Sequence, residues 1–252
     1  MSHSNPLLKV IAGIANFDAD RVERVCQAAE TVNADWVDLA CDVRLLAMAR
    51  RATTCPLMIS SVDAQNLIEA ASWGVDALEV GNFDALYDQG FFITAGQVHE
   101  LARQVITAVG GRVPVSVTVP GHLSQEAQLA LALELETLGA AMLQTEGASA
   151  VVTLNKTVQP VSAEEKAQRT LAHVRLLSQV VSIPVIAASG LYHGNVAEAI
   201  GAGAAGVGIG SAINRLPSVE AMVDELQAIQ TVLGNTSTAK PAVAVARNLA
   251  AV

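Results

Sequence analysis

Residues able to do chemistry gather at the ends of short β-branched runs and along one face of them. Near the C-terminus, Ala188-Ser189-Gly190 closes one run. A second, Gly206-Val207-Gly208-Ile209-Gly210, leads directly into Ser211-Ala212-Ile213. Glycine lets a backbone approach a ligand closely and expose its N–H groups. A helix beginning at Ser211 would add aligned donors and a positive dipole end. Ser189, Gly190, Gly208, Gly210 and Ser211 are therefore the candidate phosphate-binding set. The competing reading is that these glycines only let the run pack closely. Arg215, one turn further on, either reaches the anion or sits in solvent.

Carboxylates and hydroxyls make a second set. Side chains alternate along a strand, so in Val37-Asp38-Leu39-Ala40 the apolar residues face one way and Asp38 the other. The same alternation sets Ser60, Glu79, Ser116, Thr118, Gln144 and Glu146 on the inward face of their runs. Burying a carboxylate is costly unless it is paired, protonated or metal-bound. Asp38, Glu79 and Glu146 are thus either a structural hydrogen-bond network or acids and bases. They carry no Asp-x-Asp or His-rich spacing of a metal site. Ser60, Asn82, Thr118, Gln144 and Lys156 are the expected substrate-binding residues.

The chain holds four lysines, at positions 9, 156, 166 and 240. None closes a β-branched run, and Lys9 stands near the start of its own, so Schiff-base chemistry lacks its residue. His122 follows a run in Val119-Pro120-Gly121-His122 and is a candidate acid or base. A plain loop histidine is the alternative. His99 and His173 fall inside helical patterns and read as surface or packing residues. Phe83, Tyr87, Phe91 and Phe92 concentrate in one loop of a chain that is only 3% aromatic. That loop reads as a lid over an apolar mouth, a partner contact or a satellite core.

The elements that must position these groups alternate regularly. Strand-like runs fall at Leu8–Ala15, Trp36–Cys41, Pro56–Val62, Ala77–Gly81, Pro114–Val119, Met142–Glu146, Pro184–Ser189 and Gly206–Gly210. Between them, apolar residues recur at helical spacing. Asp18, Asp63 and Ser124 stand as N-caps; Asn33, Gly74, Gly139 and Gly203 stand as helix ends. Even spacing of about thirty residues per unit favours a closed α/β barrel, (β/α)8, over an open doubly wound sheet. The open sheet would carry GxGxxG after its first strand, and Gly13-Ile14-Ala15-Asn16-Phe17 does not match it. Residues 1–233 form the expected barrel and 234–252 a C-terminal tail. In such a barrel the groups above meet at the carboxyl ends of the strands.

Composition narrows the classes further. The 252 residues are 52% hydrophobic and 15% charged, with a net charge of −9. That balance excludes disorder. With no run of Lys or Arg, it also excludes a non-specific nucleic-acid binder. Three cysteines without a CxxC argue against a disulfide framework or thiolate zinc site. No secretory signal and no membrane-spanning run is legible, so a cytoplasmic setting is expected. A homodimer is a common outcome for barrels, though no interface can be read.

Longer motifs carry a resemblance. Lys9-Val10-Ile11-Ala12-Gly13-Ile14, Glu79-Val80-Gly81-Asn82-Phe83-Asp84, Tyr87-Asp88-Gln89-Gly90, Ser116-Val117-Thr118-Val119-Pro120, Gln144-Thr145-Glu146-Gly147, Ala188-Ser189-Gly190-Leu191 and the stretch from Gly206 to Arg215 resemble the hypothetical chloroplast reading frame twenty-three family. The similarity runs from Lys9 to about Val232. It implies a TIM barrel of the ribulose-phosphate-binding or aldolase type, in cyanobacterial cytosol or plastid stroma. It implies no activity. Where the family sets His directly after Pro, this chain interposes Gly121 before His122.

Two functions follow from these residues. One is an enzyme acting on a small phosphorylated metabolite by proton transfer, as isomerase, epimerase or lyase; flavin mononucleotide (FMN) is a variant occupant, since its phosphate fits the same loops. The other is a non-catalytic regulator that senses the ligand and binds a protein partner through the aromatic loop or the tail.

Overall fold

The computed structural model describes residues 5–236, apart from 82, 88, 149 and 153–157. Two expected substrate-binding residues, Asn82 and Lys156, lie outside the described residues, as does the tail from 237 onward.

Eight parallel strands close into a barrel. They are β1 (Leu7–Gly13), β2 (Trp36–Ala40), β3 (Leu57–Ser61), β4 (Ala77–Val80), β5 (Val115–Thr118), β6 (Met142–Gln144), β9 (Val185–Ala188) and β10 (Gly206–Ile209). The strand beside β1 on one side is β2 and on the other β10, so no edge is left open. The expected runs coincide with these strands to within two residues. A small antiparallel hairpin, β7 (Ala150–Val152) with β8 (Val158–Pro160), stands in the long connection after β6.

Helices cover the outside. They are α1 (Ala19–Thr31), α2 (Val43–Ala52), α3 (Ala64–Ala70), the single turn α4 (Asp84–Tyr87) and α5 (Ala95–Val109). Then follow α6 (Gln125–Leu138), α7 (Ala163–Ser178), α8 (Val196–Gly201), the single turn α9 (Ser211–Asn214) and α10 (Val219–Gly234). The caps act as their residue types dictate. Asp18, Asp63 and Ser124 each accept a backbone N–H from the first turn of α1, α3 and α6. No described helix is long and apolar enough to cross a membrane.

The barrel interior is layered. Leu7, Trp36, Met58, Ala77, Met142 and Ile186 form an apolar plug at the amino end of the strands. One step up, the inward positions turn polar: Lys9, Asp38, Ser60, Glu79, Ser116 and Gln144, each at most 3% exposed. Above that layer lies the mouth.

Candidate functional site

The polar layer corrects the reading of Lys9. It is the third residue of β1, on the same inward face as Leu7 and Ile11, and its long stem carries Nζ into the centre of the barrel. There Nζ lies 2.6 Å from Glu79 Oε2, 3.0 Å from Asp38 Oδ2 and 2.8 Å from Gln144 Oε1. Ser60 donates to Asp38. Ser116 donates to Glu79 Oε2 at 2.9 Å, and Gln144 Nε2 donates to Glu79 Oε1 at 2.8 Å. Burial alone would lower the pKa of Lys9, but the Asp38 and Glu79 carboxylates outweigh it and hold it above its ordinary value. Glu79 is pushed up by its own burial, against the pull of Lys9. The ammonium is thus hydrogen-bonded as the counter-ion of both carboxylates. The layer is a floor, and of its members Gln144 also lines the cavity above it.

Glu146 does not join that layer. It lies two residues beyond the end of β6, and its carboxylate turns toward the loops after β4 and β5. Oε2 accepts from the Phe83 N–H at 2.9 Å; Oε1 accepts from the Tyr87 hydroxyl at 2.5 Å and from the Gly121 N–H at 3.4 Å. Burial first, then the nearby charge of Asp84, pushes its pKa up to about 8. Gly121 has to be glycine for this geometry, because a Cβ there would fall 2.0 Å from the Glu146 carbonyl oxygen. The residue interposed before His122 is thus one that Glu146 packs against.

His122 reaches the same acid through a bridge. Its Nδ1 lies 3.0 Å from the Tyr87 hydroxyl. Burial lowers the His122 pKa and raises that of Tyr87, the latter helped by the charge of Glu146. A protonated Glu146 can donate to Tyr87 while Tyr87 donates to a neutral His122; an ionised Glu146 accepts the Tyr87 hydrogen bond instead. The hydroxyl thus connects a buried acid to a half-buried base. This also resolves the aromatic loop. Phe83 and Tyr87 are fully buried, Phe92 stacks on Tyr87 at 4.9 Å, and only Phe91 is exposed. The loop is packed over Glu146 as a satellite core, while its Asp84 lines the cavity at the barrel mouth. His173, on α7, is buried with Nδ1 on the Glu146 carbonyl at 3.4 Å, a packing residue as expected.

The phosphate candidates meet at one cavity of about 160 Å³, lined by Ser189, Gly190, Gly208, Gly210 and Ser211 with Glu146, Asp84 and Lys166. Ser189 (φ 95°) and Gly190 (φ 72°) both take positive φ, a strain of about 1–3 kcal/mol for the serine. The carbonyl side of this turn is tied down. Thr170 Oγ1 donates to the Ala188 and Ser189 carbonyls at 3.1 and 2.9 Å, and Asn195 donates to Gly190 at 3.0 Å. The amide side is not. Among the described residues, no protein acceptor takes the N–H of Ser189, Gly190, Gly210, Ser211 or Ala212.

Two details of this set differ from expectation. Gly208 lies inside β10, and a Cβ there would come within 2.9 Å of Ile11 Cδ1 and 3.0 Å of Ala188 Cβ. It contributes space at the cavity floor. The helix after β10 is a single turn of four residues, so the backbone amides themselves, and not a long helix dipole, are what the cavity offers.

One cavity residue, Lys166, is not singled out by the sequence. Lys166, in the first turn of α7, lines the cavity with Nζ 2.7 Å from Asp84 Oδ2, both about one-fifth exposed. Helix starts and strand carboxyl ends share one face of a barrel. A search for lysines at strand ends alone passes Lys166 by, whereas the N-cap Ser162 four residues before it marks the helix start. Beside this cavity a wider opening of about 480 Å³ is lined by the loop after β1, Arg21, Asp84, Asn214 and Arg215. Among the described residues no cluster of three His, Cys, Asp or Glu suits a metal ion.

Comparison with known proteins matches this chain to a family model and to relatives over most of their length. The model described as "Protein of unknown function (DUF561)" matches residues 3–239. The uncharacterized protein ycf23 of Cyanophora paradoxa is 33% identical over 229 residues, covering 89% of this chain and 91% of that protein. Its counterpart from Antithamnion sp. is 31% identical, covering 87% and 82%. Among solved structures, 3-hexulose-6-phosphate synthase from Salmonella typhimurium superposes with a TM-score of 0.62 at 15% identity, over 91% of this chain and 99% of that one. Orotidine 5'-phosphate decarboxylase from Pyrococcus horikoshii gives 0.57 at 14%, over 88% and 99%. At such identities the likeness is one of fold.

Proposed function

The chain belongs to the DUF561 family, and from that premise we propose that its barrel binds the phosphate group of a small metabolite and moves a proton on it. The observation that carries this is the set of unspent N–H groups on two adjacent turns, at Ser189-Gly190 and Gly210-Ser211, that line a single cavity with Lys166. Convergent backbone donors beside a cation suit a phosphate dianion and little else of that size. Lys166 supplies the charge, and Asp84 keeps it in place until the ligand shares it.

Glu146 is the proton carrier in this reading. An acid that titrates near pH 8 is protonated at neutral pH yet gives up its proton readily, the range general catalysis favours. Tyr87 and His122 accompany the proton. In this reading Lys9 and Glu79 hold Gln144 in position beneath the ligand, and Asp38 holds Lys9. Two fold neighbours act, by their names, on phosphate esters, which fits the reading. Cyanobacterial cytosol or plastid stroma would supply such metabolites.

The test is calorimetric titration of the full chain with inorganic phosphate, ribose 5-phosphate and flavin mononucleotide. Saturable binding of at least one, weakened about tenfold or more by Lys166→Ala, supports the reading, since a charge-assisted contact is worth about 1.5–3 kcal/mol. Absence of binding by every phosphorylated probe refutes it.

A further inference from the structure

The wider opening carries an inference of its own. It continues directly from the phosphate cavity, sharing Ile11, Asp84, Gly210 and Ser211 with it. Two guanidinium groups stand on its wall. Arg21 Nη2 donates to the Asn214 carbonyl at 3.0 Å, which fixes the side chain against α9. That bond uses one of five N–H donors, and no other acceptor holds the group among the described residues. Asn214 is itself anchored, donating to the Ile11 and Gly210 carbonyls at 2.8 and 3.1 Å. Arg215 lines the same opening with no side-chain partner among the described residues. Asp84 is the one acidic residue on that wall, and it already neutralises Lys166. In a chain of net charge −9, this rim is locally cationic.

We infer that the ligand carries two anionic groups, with the second held at the rim by Arg21 and Arg215. The inference rests on the phosphate reading above and narrows its substrate class. A phosphate seated on the amides of Ser189, Gly190 and Ser211 leaves the rest of the ligand to extend over Gly210 into the wider opening. Planar guanidinium forks suit a carboxylate or a second phosphate, both of which accept two parallel N–H bonds. The substrate class is therefore a small metabolite with one phosphate and, a few carbons away, a second phosphate or a carboxylate.

Calorimetry at constant ionic strength tests this. The probes are a pentose monophosphate, a pentose bisphosphate and 3-phosphoglycerate, against the full chain and its Arg215→Ala and Arg21→Ala variants. The expected result is that at least one doubly anionic probe binds about tenfold or more tighter than the monophosphate. Arg215→Ala removes that advantage while shifting monophosphate affinity by less than about threefold. Which doubly anionic probe gains tells a phosphate from a carboxylate at the rim. Equal affinity of all three probes for the wild type, or an equal loss for all three in Arg215→Ala, overturns the inference and leaves the phosphate site standing. If the monophosphate and both doubly anionic probes all fail to bind, the phosphate reading fails and this one falls with it.

Discussion

Replacing Glu146 by glutamine should make the protein more stable, and increasingly so as pH rises. The carboxyl has a folded pKa of about 8 against an ordinary 4.5. Below 4.5 both states are protonated and burial carries no ionisation cost. Between 4.5 and 8 the unfolded chain gives up this proton while the folded protein keeps it, so stability falls with pH. Above 8 the loss is complete. At ~1.4 kcal/mol per pH unit, the whole effect is roughly 4–5 kcal/mol. About 3 kcal/mol of it opens between about pH 5.5 and about pH 8. Glutamine has nearly the same shape: its Oε1 accepts from the Phe83 N–H while its Nε2 donates to the Tyr87 hydroxyl, as the protonated acid does, and it has no charge to bury. The measurement is chemical denaturation of wild type and Glu146→Gln at several pH values in that window. Other groups displaced by burial, such as Glu79 and His173, contribute equally to both proteins and cancel in the difference. A difference between the two that widens with pH is expected. A constant difference would refute the assignment of Glu146 as a buried, neutral acid.

Three further outcomes follow. Lys9→Met strands Asp38 and Glu79 without their counter-ion and should destabilise the fold by about 3–5 kcal/mol; a urea titration that shows less than about 1 kcal/mol would mean the polar layer is not held by charge. Tyr87→Phe removes a hydrogen bond that favours the ionised carboxylate, so the Glu146 pKa should move above its wild-type value. Carbon-13 titration of the labelled side chain reads this directly, and a downward shift would contradict the geometry. Gly190→Ala puts a methyl 2.7 Å from the Ala167 backbone nitrogen at a φ of +72°, so phosphate affinity should drop while circular dichroism still reports a barrel. Unchanged affinity would take that turn out of the site.

The barrel was legible because its signals are local. Apolar spacing, the N-caps at Asp18, Asp63 and Ser124, and positive-φ glycines such as Gly139 act within a few residues. Alternation likewise placed Asp38, Ser60, Glu79 and Gln144 inside. What that reading lost was reach. Position along β1 sets Lys9 near the amino end of the barrel, but the alternation that puts Asp38 inward puts Lys9 there too, and its stem closes the remaining distance. Register alone groups Glu146 with Asp38 and Glu79. Past the end of β6 the chain leaves the strand geometry, and the carboxylate is drawn instead to the N–H of Phe83 and the hydroxyl of Tyr87, residues some sixty positions away. The pairing of Lys166 with Asp84 spans a still longer separation, and no local pattern encodes it.

The central claim is that the turns after β9 and β10 present free amides to one phosphate. Amide chemical shifts of the nitrogen-15-labelled protein, followed during titration with a phosphate ester, test it most directly. Ser189, Gly190, Gly210 and Ser211 are expected to move together along one saturation curve while amides of the apolar plug, such as Met58, stay still. Saturation with those four unmoved, or movement elsewhere on the barrel, would contradict it.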